Sequence, residues 1–379
     1  LGSSPVSVGD LGQIGSVVAG DNHTCAIVDP DRSLRCWGLN NKGQLGDGTT
    51  VTRVAPVLIP GMTGVSQIAL GDNHTCALLN DGKVKCWGFN DKGQLGQGDT
   101  VDKLVPTLVP GLSGIIGVAT GASHSCAVLA TGSGVKCWGM NNYYQMGDGS
   151  TTDRLSPVDV GSLTSVASIK GGGNHTCALI SPANTVKCWG RNNVGQLGDT
   201  TTATRTAAVA VSGISGVTSL AVGYDHACAV QADQKARCWG YNANGQIGDG
   251  TNGNRSTSVQ VNAASLGLVS GVYAGFYHTC AILAADSSVK CWGNNAQGQL
   301  GNGTTTNSSL PVVATGVVNA QSMAIGWNHS CSVSAIDQTI KCWGANDKGQ
   351  IGVGPERRYA NPIRPTEIPL IEKFASGEH

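Results

Sequence analysis

Residues 71–88 read Gly-Asp-Asn-His-Thr-Cys-Ala-Leu-Leu-Asn-Asp-Gly-Lys-Val-Lys-Cys-Trp-Gly, and versions of this stretch occur seven times along the chain. The first cysteine of each copy recurs every 50 to 52 residues, and the second follows it by 10 or 11 residues. These pairs account for all 14 cysteines. So regular a period indicates one supersecondary unit, repeated so that each copy completes its core against its neighbours.

Composition limits the classes of partner. The 24 Lys and Arg residues balance the 24 Asp and Glu residues, and the tightest basic pair is Arg357 with Arg358. A nucleic-acid-binding protein normally carries a basic stripe, so we expect no nucleic-acid partner. No apolar run approaches the roughly 20 residues that span a bilayer, so we expect no membrane insertion. The chain begins at Leu1 without a methionine, which suits a processed chain or a piece of a longer one.

Each repeat is predicted to contain four short strands. In the second repeat these are Gln67–Gly71, His74–Leu79, Lys83–Gly88 and Val105–Val109. Asn80-Asp81-Gly82 is a tight hairpin signal between the second and third strands, because these residue types tolerate positive φ. No stretch has the periodicity of an amphipathic helix, so the sequence predicts an all-β protein.

The two cysteines of a repeat lie at equal distances from the hairpin turn and are predicted to form a disulfide, since opposed residues of a hairpin approach within disulfide range. Disulfide frameworks are typical of oxidising compartments, which favours an extracellular or cell-surface location. Reduced thiols are one alternative. Zinc is another, because His23 and Cys25 share a strand face, but that set is one ligand short and we expect no metal. The predicted pairs are Cys25 with Cys36, Cys76 with Cys86, Cys126 with Cys137, Cys177 with Cys188, Cys228 with Cys238, Cys280 with Cys291, and Cys331 with Cys342.

The motifs Gly71-Asp-Asn-His-Thr-Cys-Ala-Leu78, Val84-Lys-Cys-Trp-Gly88 and 90–96 resemble the repeats of the regulator of chromosome condensation family across nearly the whole chain. The resemblance implies a seven-bladed β-propeller of four-stranded antiparallel blades. The nuclear member that acts as an exchange factor carries a wedge-like insertion and a basic tail, which the even spacing and composition here do not provide. The cysteine pairs make this chain similar to the secreted bacterial branch of such repeats.

Catalytic signals are weak. The glycine-rich loop Asn40-Asn-Lys-Gly-Gln-Leu-Gly-Asp-Gly48 lacks the order of a phosphate-binding loop, and its glycines are better explained by tight turns between units. The repeated histidines, of which His23 is the first, have no accompanying nucleophile or carboxylate pair. We therefore expect a protein that is not an enzyme and that has no cofactor.

Binding residues are expected where the repeats differ. The position two residues before each histidine carries Asp21, Asp72, Ala122, Gly173, Tyr224, Phe276 and Trp327, and Tyr277 adds a further ring. If these loops share a face, an aromatic arc lies opposite an acidic one and forms an interaction patch; the alternative is that the rings only pack around the axis. Tyr143 and Tyr144, in a loop where the other repeats have glycine before glutamine, are a second candidate contact.

We expect one propeller over residues 1–379, with a possible partial eighth repeat at 362–379 that leaves one terminal strand redundant. A redundant strand permits polymers by strand addition between copies. The predicted function is a non-enzymatic extracellular module for protein interaction or self-association, as a filament or surface protein. One alternative is a glycan-binding or glycan-processing surface protein, since a propeller can build such a site from scattered loop residues; threonine-rich loops such as Thr49-Thr50 could themselves carry sugars. The other is a regulator of a small GTPase.

Overall fold

The structure of the protein, a computed structural model, describes residues 2–9, 11–130, 134–161 and 163–354. They form seven four-stranded antiparallel sheets arranged as the blades of a seven-bladed β-propeller. The predicted fold class and blade composition are confirmed. The possible partial eighth repeat lies outside the described residues.

The first strand, β1 (Gly2–Ser7), belongs to the last blade. Blades 1 to 3 contain β2 (Ile14–Ala19), β3 (His23–Val28), β4 (Ser33–Gly38), β5 (Arg53–Leu58), β6 (Val65–Leu70), β7 (His74–Leu79), β8 (Val84–Gly88), β9 (Lys103–Leu108), β10 (Ile115–Thr120), β11 (His124–Leu129), β12 (Val135–Gly139) and β13 (Arg154–Asp159).

Blades 4 to 7 contain β14 (Val166–Gly171), β15 (His175–Ile180), β16 (Thr185–Gly190), β17 (Arg205–Ala210), β18 (Val217–Val222), β19 (His226–Gln231), β20 (Ala236–Gly240), β21 (Arg255–Gln260), β22 (Val269–Ala274), β23 (His278–Leu283), β24 (Val289–Gly293), β25 (Ser308–Val313), β26 (Ala320–Ile325), β27 (His329–Ser334) and β28 (Ile340–Gly344). A four-residue helix, α1 (Ala263–Leu266), precedes β22 and is far too short to cross a bilayer; no other helix among the described residues spans one either.

The second strand of the second repeat has its predicted bounds, and the other three strands differ from theirs by one or two residues. The first strand begins at Val65 and ends at Leu70, because a bulge between Val65 and Gln67 lets the ladder start earlier. The fourth strand begins at Lys103, which pairs with Gly88. The turn at residues 80–82 forms as predicted, with Gly82 at φ 76°.

Each cysteine pair closes a disulfide across the second and third strands of its own blade. Cys76 lies directly opposite Cys86, and the seven Cα–Cα separations are 4.0 to 4.2 Å. The predicted pairing is present in all seven repeats, so the sulfur atoms are not thiolates that could bind zinc. No group of residues suited to a metal ion occurs in the described part of the chain.

Adjacent blades interlock through the tryptophan that follows each second cysteine. The Trp87 side chain is fully buried, and its Nε1 donates to the Gln44 carbonyl of the preceding blade at 3.0 Å. A Cβ added to Gly46 would lie 2.5 Å from the same Nε1, so only glycine fits there. The glycine-rich loops therefore join blades, as the sequence predicts.

Strand β1 closes the ring. It pairs with β28 in an antiparallel register that places Val6 opposite Cys342 and Ser7 opposite Lys341, so blade 7 is built from both ends of the described chain. The first copy of the fourth-strand pattern is therefore the one that completes the seventh blade.

Candidate interaction site at the axial mouth

The loops between the first and second strands of all seven blades meet around the axis. The residues two positions before the histidines surround one end of the central channel, which we call the axial mouth: Asp21, Asp72, Ala122, Gly173, Tyr224, Phe276 and Trp327. Backbone hydrogen bonds join neighbouring blades there: Gly173 N donates to Tyr224 O at 2.8 Å, and Tyr224 N to Gly275 O at 3.2 Å. The structure thus brings the seven sequence positions together on one face.

The glycine before each of these residues permits so close an approach. A Cβ on Gly71 would collide with the ring of His74 and with the carbonyl oxygen of Gly121 in the next blade. The loops of neighbouring blades therefore pack backbone against backbone. This closed circle of backbone contacts fixes the direction of the side chain that follows each glycine.

The three aromatic rings of the mouth form a continuous stack. The centroids of Tyr224 and Phe276 lie 3.7 Å apart at an interplanar angle of 23°, and those of Phe276 and Trp327 lie 4.5 Å apart at 18°. Tyr277 meets the edge of Phe276 at 4.4 Å. The rings are only partly buried, so the stack presents apolar surface to solvent.

The acidic residues are neighbours of this stack. The prediction that they lie opposite it is wrong, because Trp327 of blade 7 adjoins Asp21 of blade 1 and its N–H donates to the Asp21 carbonyl at 3.4 Å. On the other side, the Tyr224 ring leans over Gly173, where an added Cβ would lie 2.9 Å from the ring atoms. Rings and carboxylates therefore border one cavity of about 150 Å³.

The electrostatics of the mouth are those of carboxylates taken partly out of water. Burial, and then the nearby Asp72 carboxylate, raise the pKa of Asp21 to about 8, while a hydrogen bond from Asn22 acts in the opposite direction. Burial raises the pKa of Asp72 to about 6. Burial and the Asp72 carboxylate also raise the pKa of the Tyr224 hydroxyl to about 12. The pair therefore shares little more than one negative charge at neutral pH.

The histidines beneath the mouth are structural. Each ring is fully buried, and burial lowers the pKa to about 3 or 4. Thr75 illustrates the bonding: its hydroxyl donates to the Gln44 carbonyl at 2.7 Å and so accepts from the Nε2 of His23 at 3.0 Å. A neutral, hydrogen-bonded imidazole with no substrate access is not a catalytic base.

Comparison with known proteins identifies the family. A model of the RCC1-like domain matches residues 2–266, and models of the regulator of chromosome condensation repeat match residues 286–333, 269–299 and 320–350. The chain belongs to the RCC1-like family.

One curated relative and two solved structures are similar to this RCC1-like chain. The ultraviolet-B receptor UVR8 of Arabidopsis thaliana is 32% identical over 377 residues, which cover 97% of this chain and 72% of the receptor. Human WBSCR16 aligns with a TM-score of 0.77 at 21% identity, over 90% of this chain and 89% of its own. Prp20p of Saccharomyces cerevisiae aligns with a TM-score of 0.75 at 24% identity, over 89% and 84%. The two solved structures support the fold alone.

Several residues of this RCC1-like face escaped the sequence prediction. The residue after each Cys-Trp-Gly lies beside the mouth, because its backbone N–H donates to the carbonyl of the residue before the histidine of the same blade; Tyr241 N donates to Asp225 O at 2.8 Å in this way. The Tyr241 ring lies 5.8 Å from Tyr277, and Lys42 lies 4.4 Å above the Phe89 ring. This column varies from blade to blade, which is the signal that would have found it.

The second predicted contact lies on the same side. Tyr143 is 37% exposed, and the Arg191 guanidinium lies 5.2 Å from its ring centroid. Tyr144 adopts φ 63° where the other blades have glycine, and is partly buried. The Gln145 amide that follows reaches the Asn174 side chain at 3.4 Å, next to the axial mouth. We call the axial mouth and the loops after the third strands the mouth face.

Proposed function

We propose that this protein is a non-enzymatic, extracellular interaction module whose contact surface is the mouth face. One observation carries the proposal. Nine aromatic side chains occur in the described residues besides the seven core tryptophans, and eight of them lie in loops of this face, the exception being Tyr273 in β22. Tyr, Trp and Phe are the residues most enriched in the contact areas of protein complexes.

A structural role alone accounts poorly for this distribution. The blades are held by the fully buried tryptophans, of which Trp87 is one, and by the disulfides, and neither needs rings at the mouth. Blades 3 and 4 close the same backbone ring with Ala122 and Gly173. The half-exposed rings are therefore available for a partner.

The extracellular location is proposed from the disulfides, which form and persist in oxidising compartments and are rare in the cytosol. Prp20p has been studied for binding to Gsp1p and histones, which makes regulation of a small GTPase the competing function. Seven closed disulfides favour the extracellular module. Self-association of the face, and glycans as ligands, remain predictions.

The test is a triple variant, Tyr224→Ser, Phe276→Ser and Trp327→Ser. We expect it to fold, since the blade core is untouched, and to lose binding to partners captured from the extracellular fraction, with loss of self-association in sedimentation velocity if copies pair through this face. The matched control is Val318→Ser with Ile336→Ser, which are 61% and 76% exposed at the opposite end of blade 7. Equal partner binding by the triple variant and the wild type would refute the proposal.

A further inference from the structure

The carboxylates of the axial mouth have no cation of their own. None of the ion pairs formed among the described residues involves Asp21 or Asp72. The Oδ1 atom of Asp21 is fully buried and has no hydrogen-bond partner within the described ranges. Buried polar atoms in native proteins are nearly always satisfied, so an orphaned carboxylate oxygen beside a cavity points to a missing partner.

The aromatic stack supplies the second half of a cation site. Trp327 adjoins Asp21 through a backbone hydrogen bond. On the other side the Tyr224 ring leans over Gly173, and the charge of Asp72 acts on its hydroxyl. A guanidinium group stacks on aromatic faces and pairs with carboxylates through its planar fork of N–H donors. A guanidinium bound at the axial mouth could therefore stack on the aromatic rings and pair with the carboxylates at the same time.

The cavity has the right size for this group. Ala122 and Gly173 contribute almost no side chain to the rim, which leaves about 150 Å³ open. A cavity of about 150 Å³ in another protein admits benzene. A planar guanidinium on a short aliphatic stem is of similar size.

The basic side chain whose charge reaches the mouth residues Tyr224 and Asp225 is already engaged. Arg191 lies over Tyr143, and its positive charge acts on Asp225, opposing the effect of burial on the pKa of that carboxyl. It forms no ion pair with Asp21 or Asp72 among the described contacts. The described residues therefore supply no ion-pair partner for Asp21 or Asp72.

We propose that the axial mouth binds the guanidinium of one arginine side chain presented by the partner protein, with Asp21 and Asp72 as its counter-ions and the Tyr224–Phe276–Trp327 stack as its platform. The inference rests on the proposed function, because it names the group by which the partner enters the mouth face.

The experiment is calorimetric titration of the folded protein with ethylguanidinium and with ethylurea, its neutral isostere. We expect only the cation to bind. Asp21→Asn and Asp72→Asn should each weaken binding by about tenfold or more, since each removes a carboxyl group that pairs in its ionised form with the bound cation. Asp225→Asn is the matched control, because its carboxylate accepts from the Gln196 amide at 2.9 Å; it should change the affinity less than twofold.

A second arm tests the source of the group. A Gly-Gly-Arg-Gly-Gly peptide should bind, and the same peptide with citrulline in place of arginine should not. Equal affinity for ethylurea and ethylguanidinium, no effect of either Asn variant, or binding of the small cation without the arginine peptide would each overturn the proposal. If the Asn variants bind the partner normally while the triple aromatic variant does not, only the arginine site is wrong. If the triple variant keeps full partner binding, the proposed function itself fails.

Discussion

At the scale of single residues, one break in the repeat has a measurable cost. Six histidines bond through Nε2 to a Thr or Ser hydroxyl of the next blade, at 2.8 to 3.0 Å. Ala227 stands where the hydroxyl for His175 would be, and both nitrogens of His175 are buried without a partner. Among the described residues, His175 is therefore the histidine of the repeat whose Nε2 lacks the hydrogen bond that the other six form.

Ala227→Thr should raise the free energy of unfolding by about 1 kcal/mol, because the new hydroxyl accepts from His175 and donates to the Gln196 carbonyl as in the other blades. Chemical denaturation measures the change. Ala227→Val is the matched control, since it adds the same branched shape without the hydroxyl. An equal gain from valine would show that packing, and not the hydrogen bond, is responsible.

Asp21 should destabilise the fold at high pH. Burial and the Asp72 carboxylate raise its pKa from 3.8 to about 8, so the folded state resists ionisation that the unfolded chain accepts. The stability that protonated Asp21 gives to the folded state is fully present below pH 3.8, where the unfolded chain is protonated too, and it is lost as the pH rises through about 8. Asp21→Asn should therefore melt with the wild type near pH 3.5 and above it at pH 8.5, as followed by thermal unfolding at both pH values.

Asp47→Asn provides the opposite control. Burial acts to raise the pKa of Asp47, but hydrogen bonds from Thr49 and Arg53 outweigh it and hold the pKa below its usual range. That substitution should lower the melting temperature at pH 8.5, where the charge is stabilising. A parallel response of the two variants would contradict the assignment of Asp21 as an uncompensated carboxyl.

At the scale of the blade, the hairpin clamp was predictable and the side-chain arrangement at its end was not. Cysteine spacing about a turn fixes an opposed pair, as with Cys76 and Cys86, because register in a hairpin follows loop length. The position of the Tyr224 ring over Gly173 depends instead on the neighbouring blade having no side chain at that position. The column of Asp21 and Trp327 was therefore found from sequence, whereas their contact was not.

Removing one clamp should weaken one blade. Cys76→Ala with Cys86→Ala opens a disulfide that closes a hairpin of 10 residues, and we expect a loss of about 2 to 3 kcal/mol in the free energy of unfolding. Reductant without heating should do little, since both sulfur atoms are fully buried. Thiol titration of the native protein should find none free; reactive thiols there would contradict both the clamp and the extracellular location.

At the scale of the whole molecule, the period of 50 to 52 residues predicted seven repeated units that lean on one another, and the resemblance to the regulator of chromosome condensation repeats implied that these units are propeller blades. The sequence did not decide which end completes blade 7, since the fourth-strand pattern occurs once more than the blades require. The pairing of β1 with β28 shows that the first copy of the pattern completes blade 7. Residues 355–379, with the second copy, lie outside the described ranges.

The ring closure by β1 also determines how the molecule responds to tension. Strand β1 and the segment that leaves blade 7 after Gly344 carry the two ends of the described chain, and within its sheet β1 is held by a single neighbouring strand, β28. A pull on the two ends is therefore borne by that strand pair and by two single backbone bonds to other blades, from Gly354 N to Val54 O and from Gly303 N to Ser3 O. Each of the seven disulfides lies within one blade, and none of them joins β1 to β28. Under tension the junction between these two strands should therefore open before any single blade unfolds.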